Sequence, residues 1–155
     1  THTGCRAPVD YPGNKSDEEL RLVAEKGGYV GIYFMPFLAR ERQITGADVI
    51  AHIEHAIDIC GEDCVGIGTD GPPSAIDDMG GGAKAFAADI ERRRAAGISA
   101  PGERPDSYLF AVDMTGPDQF HILADKLRAR GHSQQRIEKI LGLNFLAFAR
   151  RVWSG

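Results

Sequence analysis

Three cysteines in 155 residues, with no CxxC pair among them, exclude a disulfide framework and a structural zinc site of the finger or ribbon type. Cys60 and Cys64 flank a Gly61-Glu62-Asp63 turn. Two small apolar side chains beside that turn are a simpler reading than a bridge, and a reducing compartment fits this usage. Long hydrophobic runs are also missing: none reaches the roughly 18 residues a membrane span needs, and the opening residues do not read as a signal peptide. Positive charge is not concentrated. The net charge of −4 and pI of about 5.7 argue against nucleic acid or a membrane surface as partner, since either requires a basic face. The densest basic run, Arg92-Arg93-Arg94, stands between Glu91 and alanines and reads as a solvated helix face. GxxxxGK(S/T) does not occur, and Gly66-Ile67-Gly68-Thr69-Asp70-Gly71 matches GxGxxG in spacing alone, with no lysine following, so Gly66 and Gly68 are not expected to cradle a phosphate. There is no internal repeat and no low-complexity tract.

What is present suffices for one core, with 43% hydrophobic residues in a chain of one-domain size. Ser16-Asp17-Glu18-Glu19 forms a capping box, and the helix it opens carries Leu20, Val23 and Ala24 on one face and stops at Gly27-Gly28. Tyr29-Val30-Gly31-Ile32-Tyr33-Phe34 comes next without alternation, as a strand buried on both faces does. Thr45, with Asp48 three residues on, opens a second helix whose apolar positions Val49, Ile50, Ile53, Ile57 and Cys60 keep helical spacing. Cys64-Val65-Gly66-Ile67-Gly68 is a second buried strand. Helix, strand, helix, strand of this kind predicts α/β architecture with parallel pairing.

After Asp70 the pattern changes. Gly71-Pro72-Pro73 and Gly80-Gly81-Gly82 are expected to bound a flexible loop, with a helix from Ala83 to about Ala96 and a long, mostly irregular connection from Gly97 to Gly116. Three helical stretches finish the chain: Pro117–Arg130, one capped by Ser133, and Asn144–Trp153. The opening Thr1-His2-Thr3-Gly4-Cys5 reads as the end of a strand, so an upstream portion is expected.

Asp70 leaves the carboxyl end of a buried strand at a glycine-rich turn, where barrel enzymes place working groups. A carboxylate there can shuttle a proton near a metal-bound water, or can simply cap the turn through backbone amides. His2, at another apparent strand end, is either a metal ligand or a hydrogen-bonded structural histidine. His52 and His55 have the i, i+3 spacing of a metal clamp, but Ile53 and Ile57 turn their helix toward the sheet, which favours a structural reading. His121 and His132 lie in helix-rich sequence without nearby carboxylates and are expected to be uninvolved.

The segment His52-Ile53-Glu54-His55-Ala56-Ile57-Asp58, followed by Val65-Gly66-Ile67-Gly68-Thr69-Asp70-Gly71, resembles the helix-then-strand signature of the membrane dipeptidase (renal dipeptidase) family of zinc metallopeptidases. His2-Thr3 with Arg6 resembles its Ser-His-Ser…Arg motif. Ser16-Asp17-Glu18-Glu19-Leu20 resembles the next helix start, and Ile140-Leu141-Gly142-Leu143-Asn144-Phe145-Leu146 its Gly-x-Asn-Phe-Leu motif. The resemblance covers nearly the whole chain outside 72–116, which reads as an insertion. It implies that residues 1–155 form a single domain that is the C-terminal half of a (β/α)8 TIM-like barrel with extra C-terminal helices. It also implies two zinc ions bridged by a hydroxide that attacks the carbonyl of a dipeptide, with His2 a ligand of the second zinc and Asp70 the proton shuttle.

The chain departs from the family pattern in two places. The family's His-x-Asp pair, bridging glutamate and earlier zinc-binding histidine are absent, so the missing N-terminal half or an oligomeric partner is expected to complete the site. Gly13 stands where the family has an arginine that binds the substrate carboxylate, and Arg6 is the candidate substitute. The alternatives are an inactive scaffold or binding unit, or an amidohydrolase acting on a non-peptide amide.

Overall fold

The architecture of the chain is described by a computed structural model covering residues 2–71, 74–75, 78–101 and 103–153. Helix α1 (Asp17–Glu25) starts where the capping box requires: the Glu19 N–H donates to Ser16 Oγ at 3.2 Å and the Ser16 N–H donates to a Glu19 carboxylate oxygen at 2.8 Å. Helix α2 (Gly46–Cys60) begins after Thr45, whose N–H and hydroxyl both donate to Asp48 Oδ2. Its face of Val49, Ile50, Ile53 and Ala56 is buried.

Between these helices β1 (Val30–Ile32) pairs in parallel with β2 (Val65–Ile67), in the register Val30↔Val65, Gly31↔Gly66 and Ile32↔Ile67. All three β1 residues are buried, as the unbroken apolar run required. The opening segment runs alongside β1: the Thr3 N–H donates to the Gly31 carbonyl at 2.9 Å, and the Tyr33 N–H donates to the Thr3 carbonyl at 3.1 Å. Pairing continues past β2, where the Gly68 N–H reaches the Ile32 carbonyl and the Phe34 N–H reaches the Thr69 carbonyl. Three parallel segments therefore deliver their carboxyl ends in one direction, and the chain is α/β.

A buried histidine locks this arrangement. The His52 ring is 1% exposed; its Nδ1 accepts the Cys5 N–H at 2.9 Å, and its Nε2 lies 3.1 Å from the Leu38 carbonyl. An acceptor at Nδ1 and a carbonyl at Nε2 require the neutral tautomer with the proton on Nε2. Burial pulls the His52 pKa down to about 4. One imidazole thus ties the opening segment, α2 and the turn after β1 (Pro36–Leu38, a 3-10 turn).

The segment after Asp70 departs from expectation at one end. Helix α3 (Met79–Ala95) starts four residues before the expected Ala83, so Gly80, Gly81 and Gly82 form its first turn instead of bounding a loop. Asp78 explains the shift, since its carboxylate accepts the Gly81 N–H at 2.8 Å and satisfies a donor every helix start leaves open. The Pro72-Pro73 pair lies outside the described residues, as does Thr1. The described residues of 97–116 are irregular, as expected, yet pinned. Glu103, 8% exposed, pairs with Arg93 and accepts the Ala100 N–H, while Arg94 donates to the Glu103 carbonyl. Hence Arg92-Arg93-Arg94 is only partly a solvated face: Arg92 pairs with Asp89 in solvent, whereas Arg93 and Arg94 hold the segment beyond the helix.

Helices α4 (Gln119–Ala129), α5 (Gln134–Glu138) and α6 (Asn144–Trp153) close the chain. Asn144 donates to the carbonyls of Glu62 and Val65, at 2.6 and 2.7 Å, fastening α6 to the start of β2. No helix among the described residues is long and apolar enough to cross a membrane.

Candidate functional site at the strand ends

Because the parallel segments share a direction, the residues leaving β1 meet those leaving β2. Phe34 and Met35 come from β1, Thr69, Asp70 and Gly71 come from β2, and together they form the floor of a cavity of about 320 Å³. Its roof is built later in the chain, with Met79 and Phe86 from α3 and Tyr108 and Phe110 from the irregular stretch.

Asp70 adopts φ 57°, in the left-handed region that non-glycine residues seldom occupy. Such backbone is kept where surroundings impose it and collects at functional sites. The turn-capping role open to Asp70 falls to its neighbour: the Thr69 hydroxyl accepts the Gly71 N–H at 3.5 Å and donates to the Gly71 carbonyl at 3.1 Å. Among the described residues none hydrogen-bonds or ion-pairs with the Asp70 carboxylate, which is exposed on the cavity wall. It is also the only charged side chain among the described residues lining that wall. Burial pushes the Tyr33 phenol well above its usual range, with Tyr11, Cys5 and Asp70 adding to the effect. Tyr33 is therefore a fixed donor, and its hydroxyl bonds Asn14 Oδ1 at 2.5 Å.

His2 is exposed, immediately before the Thr3 that pairs with β1. Arg6 is half-buried, one guanidinium nitrogen lying 3.5 Å from the Pro12 carbonyl and Nε without a partner among the described residues. Neither His2 nor Arg6 lines the cavity. His52 and His55 do not form a clamp: His52 is spent on two backbone groups, and His55 Nε2 lies 2.7 Å from Asp17 Oδ1, joining α2 to α1. His132 requires a correction. It does have a carboxylate neighbour, Glu54 at 3.1 Å, which also takes two bonds from Arg130. The pair is 78 positions apart in sequence, so no local pattern could announce it. His121 is exposed, in keeping with an uninvolved residue.

Among the described residues no three His, Cys, Asp or Glu side chains come together in a way that could hold a metal ion. The described residues therefore do not make a metal centre by themselves. Burial raises the Cys5 and Cys60 thiols to about 12. The three cysteines are free, with the Cys64 thiol donating to the Cys60 carbonyl.

Position 13 has a steric explanation. A Cβ on Gly13 would lie 2.5 Å from the Tyr11 ring, which stacks on Phe37 with centroids 4.3 Å apart. Tyr11 thus fills the space that a side chain at 13 would take. Asn14 beside it is a structural residue, fully buried and donating to the carbonyls of Val9 and Phe37.

Parallel α/β pairing with a cavity across the strand carboxyl ends is the arrangement of an α/β protein with a ligand site at its strand ends. Residues 1–97 match the membrane dipeptidase family (peptidase family M19), and the chain belongs to that family. An uncharacterized protein in the pqqA 5′ region of Klebsiella pneumoniae is 28% identical over a 158-residue alignment, taking in 99% of this chain and 46% of that protein. Dipeptidase ataJ of Aspergillus terreus is 28% identical over 98% of this chain and 30% of its own length. Among solved structures, an amidohydrolase from Pseudomonas aeruginosa superposes with a TM-score of 0.77 at 27% identity, covering 99% of this chain and 45% of that one. The chain thus spans less than half the length of each of these relatives.

The walls of the cavity escape a reading of the sequence by local pattern. The available signal is the methionines: the chain has three, and Met35, Met79 and Met114 all line this one cavity.

Proposed function

We propose that this chain is part of a metal-dependent hydrolase that cleaves the amide bond of a dipeptide or small peptide-like substrate, and that it supplies the C-terminal half of a (β/α)8-type barrel. The observation that carries the reading is Asp70: a carboxylate without a partner among the described residues, in a left-handed turn at the carboxyl end of β2, on the wall of a cavity. In a chain of the membrane dipeptidase family, a carboxylate so placed moves a proton from the attacking water to the leaving amine.

His2 is the ligand this chain offers, and Arg6 the group offered to the substrate. A zinc ion, when bound, supplies water acidic enough to attack at neutral pH. His2 could hold it only alongside donors from outside this stretch, contributed by the rest of the polypeptide or by a second copy.

Asp70→Asn tests the assignment. Dipeptide hydrolysis by the full protein should fall by about 100-fold or more, with metal content by atomic emission unchanged. Turnover that survives the substitution removes Asp70 from the mechanism. One observation favours a second reading, an amidohydrolase acting on a non-peptide amide. Tyr11 fills the room beside Gly13, leaving no arginine there for a substrate carboxylate.

A further inference from the structure

The cavity above Asp70 has a chemistry of its own. All three methionines line it, with Phe34, Phe86 and Phe110 among the other walls. No cationic side chain occurs among its described lining residues, and Asp70 stands at one side. Removing water from such walls rewards an apolar occupant at about 25 cal/mol per Å², whereas an anionic occupant would meet the Asp70 carboxylate with nothing to neutralise it. Methionine is unbranched and polarisable, so walls built from it adjust to apolar groups of different shape and favour contact with aromatic rings. A volume of about 320 Å³ stands at the lower end of small-molecule sites. It suits one side chain and its adjoining amide, not an extended peptide.

The roof is a built structure. Gln43 accepts the Tyr108 N–H at 2.6 Å and donates to the Phe110 carbonyl at 2.8 Å. Asp113 accepts the Gly46 N–H at 2.7 Å and pairs with Lys126 at 2.7 Å. Ala111 and Met114, between and beside these anchors, are buried. Residues 108–114 are thereby bolted to the start of α2 and to α4, which holds the aromatic side chains over the strand ends.

Resting on the hydrolase reading above, we infer that this cavity is the specificity pocket of the site and takes a bulky, uncharged apolar group, aromatic or branched aliphatic, next to the cleaved amide. Small or anionic groups at that position are poor occupants.

The test separates binding from turnover. The full protein is labelled with 13C-methyl methionine and titrated with two uncharged probes, N-acetylphenylalanine amide and N-acetylalanine amide. The phenylalanine probe should shift the methyl signals of Met35, Met79 and Met114 and bind about tenfold tighter or better. Phe86→Ala should bring that ratio below about threefold without weakening the alanine probe. Met79→Ala, at the start of α3, should lower it in the same direction and serves if the first variant fails to fold. Equal binding of the two probes, tighter binding of N-acetylaspartate amide, or unmoved methionine signals would each overturn the inference. Hydrolysis of alanyl and phenylalanyl dipeptides is measured separately. Selective binding without hydrolysis sinks the hydrolase reading and leaves the pocket standing; hydrolysis without selectivity does the reverse.

Discussion

Residues 2–71 and residues 78–116 build the same cavity by different means. In the first region helices and strands satisfy their own backbone, and a side chain such as Ser16 or Asp48 acts within four positions of itself. In the second, α3 gives way to backbone without regular structure, whose polar groups are met by side chains from elsewhere: Gln43 bonds Tyr108 from 65 positions away. Asp113 in turn reaches Gly46, 67 positions away. The floor is therefore held mainly by repetition, with a few long-range bonds such as His52 to Cys5, 47 positions away, and the roof by individual bonds alone. Enzymes commonly place variable specificity elements over fixed catalytic ones in this way, and the division can be tested one bond at a time.

The largest effect is expected where the floor depends on a single residue. His52→Ala leaves the Cys5 N–H and Leu38 carbonyl unpaired and opens a void, so urea unfolding should show a loss of about 3–4 kcal/mol. A loss under about 1 kcal/mol would mean that the opening segment is held by something else. Acid should do part of the same damage. The folded protein holds His52 near 4, below the ordinary 6.5, so the unfolded chain takes up the proton first. The stability contributed by neutral His52 is then complete above pH 6.5 and drains away as pH falls toward 4. About 2 kcal/mol should disappear between about pH 7 and pH 5, and His52→Gln should flatten that profile. A wild-type profile already flat over this range would contradict the assignment.

The roof should respond locally. Glu103→Gln weakens the hold of Arg93 on the buried carboxylate and should cost about 1 kcal/mol. Its clearer signature is faster proteolysis between Ile98 and Ser107 at an almost unchanged melting temperature. If this variant melts as cooperatively destabilised as His52→Ala, floor and roof are one unit and the distinction fails. Smallest of all, Ser16→Ala should remove about 0.5–1 kcal/mol by uncapping α1, measurable as a shift in urea midpoint with unchanged slope.

The same contrast explains how much of the molecule is legible in its sequence. The starts of α1, α2 and α6 and the β1 and β2 runs are legible because capping and periodicity operate over a turn or two. The position of Asp70 at a strand end is legible from the buried run before it. The start of α3 is not, because three consecutive glycines read as loop, although Asp78 caps them into a helix. The pairing of His132 is hidden because Glu54 comes from another helix. The cavity walls are hidden because they are assembled from segments far apart in the chain, and no local pattern encodes which apolar residues will face a void.

The ring of Tyr11, stacked on Phe37 against Gly13, also constrains how this protein can change. An arginine introduced at position 13 by itself would drive its first side-chain carbon into that ring. An arginine at position 13 therefore requires the Tyr11 ring to move aside or be replaced. Positions 11 and 13 are thus sterically coupled, and what position 13 can accept depends on what stands at position 11.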